Sequence, residues 1–317
     1  MLDRIRGQGR YDCIVTLSGG RDSSYMLLKA VRDYKLKALA FNYRNPFTHP
    51  VASENIRRLQ KCLGVDLIQF ELPGVHLRTM RHNLLSWMCN PSPAMVPMMC
   101  VGCKTLWKTV LCTAWRYGVR AAFSGGNPYE QTTFKRELLG VDAEASVAKY
   151  YTSYIFGLAR EVGKNIRYLA PKVLPPTILG YLYSSPQAPF VRLLGRGLTR
   201  ISLFKYLPWS ESEVLSRVRD ELDWHSPPDY PSTWRFDCKV DDVKNYIYLR
   251  LVGVTEKDDF YSRMVRAGLM TRDEALVRVK RENEVDIDLV KAVLAEVGIP
   301  LERLDRAIDR YLEAHPR

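Results

Sequence analysis

The stretch "YDCIVTLSGGRDSSYMLLKAV", from Tyr11 to Val31, constrains this chain more than any other. Its first part, "CIVTL", reads as a buried strand. Its last part reads as a helix, with Tyr25, Leu28 and Val31 at helical spacing. Between them stand Ser18, Gly19, Gly20, Arg21, Asp22 and Ser23. A glycine turn that leaves a strand and opens a helix presents backbone N–H groups at the positive end of the helix dipole, which makes it a phosphate site. Gly19 and Gly20 let the backbone approach the anion, and Ser18 and Ser23 add hydroxyl donors. The turn is neither the Walker pattern G-x-x-x-x-G-K-[ST] nor the dinucleotide pattern G-x-G-x-x-G.

The alternation continues downstream. "LKALAFNYR", "VDLIQFELP" and "VRAAFSGGNP" read as strands; "PVASENIRRLQKCLG", "VHLRTMRHNLLSWM" and "KTLWKTVLCTAWRYG" read as helices. Ser53 is placed to cap the second helix, and Gly64 and Gly118 to close the second and fourth. Strand–helix alternation of this kind predicts an α/β fold with a doubly wound parallel sheet. The pattern then breaks into a proline-bearing, basic insert at about residues 137–200, and "RISLFKYLPW" returns to the sheet. From Glu211 the chain is helical and charged. The expected organisation is a core over residues 1–210, insert included, and a helical region over 211–317.

A net charge of +12 points to an anionic partner: nucleotide, nucleic acid or membrane surface. Residues 151–210 hold eight Lys and Arg against one acid, Glu161, which makes this segment the expected anion-facing surface. Apolar residues at 46% suit a packed core rather than disorder. Seven cysteines are too few for a disulfide scaffold, and Met1–Arg10 lacks an apolar signal-peptide core. The expectation is a cytoplasmic protein with reduced thiols. No transmembrane segment is expected, because the best candidate, Val173–Leu194, is broken by Pro175, Pro176, Pro186 and Pro189.

Ser-Gly-Gly-x-Asp-Ser after a buried strand resembles the PP-loop of the N-type ATP pyrophosphatases, whose fold is the adenine nucleotide alpha hydrolase-like sheet. That resemblance implies cleavage of ATP between the α and β phosphates, an adenylated substrate, and pyrophosphate as leaving group. It implies ATP and Mg²⁺ as cofactors. By position, Ser18, Gly19, Gly20 and Ser23 would cradle pyrophosphate, and Asp22 would bind Mg²⁺ or orient the phosphates. Arg21, at the motif's free position, would neutralise phosphate charge. Asn42 and Tyr43, ending the second strand, would receive adenine; Gly125, Gly126 and Asn127, ending the fourth, would face ribose and the α-phosphate.

Three longer segments, "YLPW" (Tyr206–Trp209), "SGGNPYEQ" (Ser124–Gln131) and "GLMTRDEALVRVKR" (Gly268–Arg281), resemble the N-acetyl sugar amidotransferases of bacterial surface-polysaccharide synthesis. Those enzymes turn an acetamido group into an acetamidino group with ammonia from a separate glutaminase subunit. The resemblance therefore implies a small-molecule sugar acceptor and a glutaminase partner; a homodimer stays open. The chain departs from the pattern in two ways: residues 1–12 hold no cysteine, and the core holds extra ones.

Those cysteines open a rival reading. Cys100 and Cys103 form a C-x-x-C in "MMCVGCK", read as a helix start where the dipole and Lys104 favour thiolates. Cys238, in "WRFDCKVDD", would be the third thiolate, with Asp237 orienting a ligand. Two close cysteines and one distant one on a PP-loop core resemble the tRNA 2-thiolation enzymes, where three cysteines hold an iron–sulfur cluster. Zn²⁺ with His82 or His225 as fourth ligand is the other metal option. Sulfur transfer to a tRNA base or small heterocycle thus stands beside nitrogen transfer. Cys13, Cys62 and Cys112 read as inert core thiols. A non-catalytic nucleotide-binding regulator is the third reading, and the intact phosphate turn with Asp22 argues against it.

Overall fold

The computed structural model describes residues 2–130, 133–142, 147–228 and 230–316. Residues 143–146 of the expected insert and Gln131 of the "SGGNPYEQ" motif lie outside the described residues. In chain order the strands are β1 (Cys13–Thr16), β2 (Ala38–Tyr43), β3 (Asp66–Phe70), β4 (Ala121–Ser124) and β5 (Thr199–Ser202). The α-helices are α1 (Arg21–Leu28), α2 (Pro50–Leu63), α3 (Val75–Cys89), α4 (Leu106–Tyr117), α5 (Phe134–Glu137), α6 (Val147–Lys164) and α7 (Leu174–Leu182). They continue with α8 (Pro189–Leu194), α9 (Glu211–Leu222), α10 (Val240–Val252), α11 (Glu256–Arg266), α12 (Arg272–Glu282), α13 (Ile287–Glu296) and α14 (Leu301–Ala314).

The chain divides into two compact units. The first comprises Met1–Pro73, Gly102–Pro128 and Ile178–Cys238; the second comprises Gly74–Val101, Tyr129–Thr177 and Lys239–Arg317. Residue 210, the expected boundary, falls inside the first unit.

The first unit is built on one five-stranded sheet of order β3-β2-β1-β4-β5, parallel throughout. Val15 sits at the centre, opposite Ala40 on one side and Phe123 on the other. The three central strands are buried at every position, as continuous apolar runs in a two-sided parallel sheet must be. The edges are more polar: β3 exposes Asp66 and Gln69, and β5 carries Thr199 and Arg200. One core cluster joins Ile14, Leu39 and Ala122 to Trp107, Val110, Leu111 and Ala114 of α4 and to Val191 of α8. Elsewhere α1 packs on α9, with Tyr25 stacked on Phe204 at 5.9 Å. The order reverses between β1 and β4, whose carboxyl ends form the crevice where open α/β sheets bind ligands.

Local chemistry sets the helix ends. Gly64 and Gly118 both take positive φ and close α2 and α4. The start of α2 differs from expectation. Its N-cap is His49, whose Nδ1 accepts from Val51 N, and Pro50 occupies the first turn; Ser53 lies within the helix. The long helix expected after the phosphate turn ends at Leu28 and continues as a π-helical turn, Lys29–Asp33. Cys13 is buried as expected, and burial pushes its thiol up to about 12. Cys62 and Cys112 are exposed, because each falls on the outer face of an amphipathic helix.

The second unit is helical among its described residues. There α10 packs on the 3-10 turn Pro93–Met98, on α13 and on α14; α11 packs on α12, and α14 on α3. Capping boxes at Thr255/Asp258 and Thr271/Glu274 start α11 and α12. Polar groups pair within it: Lys135 with Glu256, Tyr261 Oη donating to Glu282 at 2.7 Å, and Thr133 Oγ1 donating to Asp259 at 2.8 Å. Among the described residues no helix is long and apolar enough to cross a membrane.

Candidate nucleotide site

The phosphate turn lies in the first unit, between β1 and α1. Gly20 is the N-cap of α1 and brings no side-chain cap, so the helix offers its first N–H groups to whatever anion arrives. Hydroxyls shape the turn: Ser18 N donates to Ser23 Oγ at 3.2 Å, and Ser24 Oγ donates to Gly20 O at 2.8 Å. The Ser18 and Ser23 hydroxyls lie 3.1 Å apart, with Ser18 exposed.

Gly19 is required twice over. Its φ is +86°, and a Cβ there would stand 2.2 Å from the carbonyl oxygen of Ala52 in α2. Its own carbonyl accepts from Trp224 Nε1 at 2.9 Å and from Asn55 Nδ2 at 3.2 Å. Asn55 also donates to the His225 carbonyl at 2.7 Å and accepts from His225 N at 3.1 Å. The turn is therefore held from behind by α2 and by the chain that follows α9.

Asp22 is the hub of the site. It is buried, and both carboxylate oxygens accept from protein donors: Oδ1 from Trp209 Nε1 at 2.8 Å and Oδ2 from Asn127 Nδ2 at 3.1 Å. Those donors belong to "YLPW" and "SGGNPYEQ", so two motifs far apart in sequence meet on one side chain. The turn after β4 also touches the phosphate turn directly, since a Cβ on Gly125 would be 3.6 Å from Ser23 Cα and Cβ. Gly126 follows at φ +123°, and Asn127 is buried.

Arg21 does not face the turn as a phosphate-gripping fork. Only 2% of it is exposed. Its Nη1 donates to Glu211 at the start of α9 and to Thr233 Oγ1 at 2.6 Å, and its guanidinium lies 5.3 Å from the centre of a Trp209 ring. Its charge locks α9 and the residue 233 segment to the base of the turn. Asn42 and Tyr43 are likewise committed to the sheet. Asn42 is buried, donating to Leu17 O at 2.8 Å and accepting from Gln69 Nε2 at 2.9 Å. Tyr43 is buried with its ring 4.9 Å from that of Phe70.

The cysteine expectation is not supported. Among the described residues no group of three or more His, Cys, Asp or Glu is placed to hold a metal ion. Within the second unit Cys100 is buried, with its Sγ 3.0 Å from His76 Nε2. Cys103 is exposed on a 3-10 turn, Gly102–Thr105, one turn ahead of α4 rather than in its first turn. Lys104 Nζ donates to Tyr181 Oη at 2.9 Å and sits over that ring. In the first unit, Cys238 Sγ accepts from Asn45 Nδ2 at 3.0 Å. In the second unit His82 contacts the Arg167 carbonyl at 2.7 Å; in the first, His225 is exposed and 3.5 Å from Asp223.

The segment bearing Cys238 does reach the phosphate turn, by another residue. The Asp237 carboxylate lies within 3.9 Å of where a Cβ on Gly20 would stand, and Asp237 O accepts from His49 N at 3.2 Å. Cys238 bridges Thr48. Asp237 is the acidic group at the turn that sequence reasoning assigned to the cysteines. Its signal was the phrase "PSTWRFDC", whose Thr233 and Trp234 anchor the approach.

With this geometry in hand, the C-terminal part of the chain finds a relative. Residues 230–316 match the family model described as LPS biosynthesis protein WbpG-like, C-terminal domain. The match takes in Asp237 and helices α10 to α14, and excludes both glycine turns. No curated protein matches the chain. Among solved structures, NMN synthetase from Francisella tularensis is similar over 90% of this chain and 88% of that one, at 13% identity and a TM-score of 0.39.

Proposed function

We propose that this chain is an ATP-dependent, AMP-forming enzyme of LPS biosynthesis that adenylates an amide oxygen on an N-acetylated sugar and replaces it with nitrogen. The observation that carries the reading is the junction at Asp22. It joins the Ser18–Ser23 turn to the turn after β4 and to Trp209, at the switch point of the sheet. The WbpG-like match supports the pathway class. In this reading the amide oxygen attacks the α-phosphorus and pyrophosphate leaves. Ammonia then adds to the activated carbon, and AMP departs with the former amide oxygen.

The turn's backbone N–H groups and the N-terminus of α1 stabilise charge on pyrophosphate as it forms. Ser18 and Ser23 supply hydroxyl donors beside them. Asp22 positions the two turns against each other, its oxygens being engaged by Asn127 and Trp209. Asp237, beside Gly20, is the carboxylate suited to hold Mg²⁺, which supplies charge neutralisation for the phosphates. A separate glutaminase would deliver the ammonia, and a cytoplasmic location belongs to the same proposal.

The test is product analysis with ATP, Mg²⁺, ammonium and N-acetylated nucleotide sugars. AMP and pyrophosphate in equal amounts, with an acceptor that has exchanged oxygen for NH, are expected. ADP and orthophosphate as products would overturn the reading, and an acceptor that gains sulfur would move it to the thiolation class. Asp237→Asn is expected to raise the Mg²⁺ requirement about tenfold, the scale of a lost charged contact.

A further inference from the structure

Helices α4 and α8 of the first unit form a surface that the nucleotide site does not use. They pack through Leu111 and Val191, both in the core. Gly195, immediately after α8, lies against α4 so closely that a Cβ there would be 2.8 Å from Leu111 Cδ2. Trp115 is one helical turn beyond Leu111 on the same face of α4. Large apolar side chains stand in solvent here: Trp115 is 59% exposed, Phe190 40%, Leu193 53% and Leu194 42%. Exposed Arg116, Arg192 and Arg196 lie among them in sequence. No Asp or Glu occurs in residues 102–128 or 178–210, the two segments that build this side of the unit. Burial, and then the like charge of Arg192, disfavours the charged form of nearby Arg200.

We propose that the α4/α8 face docks on an anionic lipid bilayer. The apolar and charged components each narrow the occupant. Four exposed side chains, three of them without any polar atom, suit the boundary between headgroups and acyl chains, where an indole such as that of Trp115 also sits well. Arginines with no acid among them suit lipid phosphates, which they grip in a planar fork. A nucleic acid would use the arginines but leave Leu193 and Leu194 unmatched. A second copy of the chain would bring a like-charged face against this one. Peripheral docking of this kind needs no membrane-spanning helix.

The full chain should be sedimented with vesicles of phosphatidylcholine alone and of phosphatidylcholine with phosphatidylglycerol. Binding is expected on the anionic vesicles and about tenfold or more weaker on the neutral ones, falling with salt. The pair Leu193→Gln and Leu194→Gln, and separately the pair Arg192→Ala and Arg196→Ala, should each lower anionic-vesicle binding about tenfold, with the melting profile and AMP formation in solution unchanged. The arginine pair keeps the test decisive if the leucine pair misfolds. Absence of binding, equal binding to both vesicle types, or unchanged binding by a folded arginine pair would overturn the proposal. So would an RNA oligonucleotide that captures the protein through these arginines in preference to vesicles, or a dimer in light scattering that the leucine pair dissolves.

Discussion

The Ser18–Ser23 turn and the Met99–Lys104 segment both carry groups suited to charge, but they are assembled by different means. In the turn the binding groups are backbone N–H groups and neighbouring hydroxyls, delivered together by one strand-to-helix reversal. The rest of the first unit only braces them: Trp224 and Asn55 hold Gly19, while Asn127 and Trp209 hold Asp22. In the cysteine segment the binding groups are side chains, and a metal centre needs several of them to converge. Among the described residues no such group is found; Cys100 has His76 beside it, Cys238 has Asn45, and Cys103 is exposed. A site made of contiguous backbone survives any arrangement of the rest of the chain, whereas a site made of distant side chains depends on all of it.

Substitution can break this comparison at its strongest point. Gly19→Ala forces a Cβ into the Ala52 carbonyl at positive φ. It should cost about 3 kcal/mol or more and abolish AMP formation. Urea titration and a pyrophosphate-release assay measure both; a variant of wild-type stability and rate would mean that the turn is not the rigid element described.

Asp22→Ala should come next. It strands the Trp209 N–H and the Asn127 amide, at a cost of about 1–3 kcal/mol. Loss of the aligned turns should lower the rate of AMP formation at least about 100-fold. Asp22 is buried, so its loss should also be felt by the fold. Wild-type melting with lost activity would return it to a purely chemical role.

The cysteine side of the comparison predicts small effects. Cys103→Ser and Cys238→Ser should leave AMP formation within about twofold of wild type, as for residues outside a working site. Protein purified without oxygen should carry no stoichiometric iron or zinc. Metal that disappears with either substitution would erase the contrast between the two segments.

The smallest expected effect is electrostatic. Asp33 accepts from Arg217 at 2.8 and 3.0 Å and pairs with Lys29 at 2.7 Å. The Arg217 hydrogen bond, above all, holds its carboxyl well below the usual range. A depressed folded pKa means that this contribution is fully present above the unfolded carboxylate value, about 4, and is lost as pH falls below it. Urea midpoints should therefore change little on this account between neutral pH and about 5, and drop by about 1 kcal/mol or less toward pH 3. Asp33→Asn should remove that acid dependence; its persistence would assign the drop to other carboxylates.

The alternation of apolar and amphipathic runs identified strands β1 to β4, the return of β5 and the flanking helices, because a parallel sheet buried on both faces leaves a periodicity that needs no tertiary context. The strand-to-helix turn between β1 and α1 was legible because six adjacent residues carry it. The protein partners of Arg21, Asn42 and Tyr43 were not legible, because their neighbours in sequence say nothing of Glu211, Thr233, Leu17, Gln69 or Phe70. The approach of Asp237 to Gly20 was likewise not legible in sequence.

By itself, then, the sequence determined the strand-to-helix reversal at Ser18–Ser23 and the glycines that permit it, since φ preference and amphipathic period are properties of short segments. Tertiary structure alone decided which carboxylate meets the turn and which arginine is spent on packing. Those outcomes depend on strand order 3-2-1-4-5 and on the path of residues 224–238, and hydrogen-bond partners nearly two hundred residues apart, such as Asp22 and Trp209, leave no periodic trace along the chain.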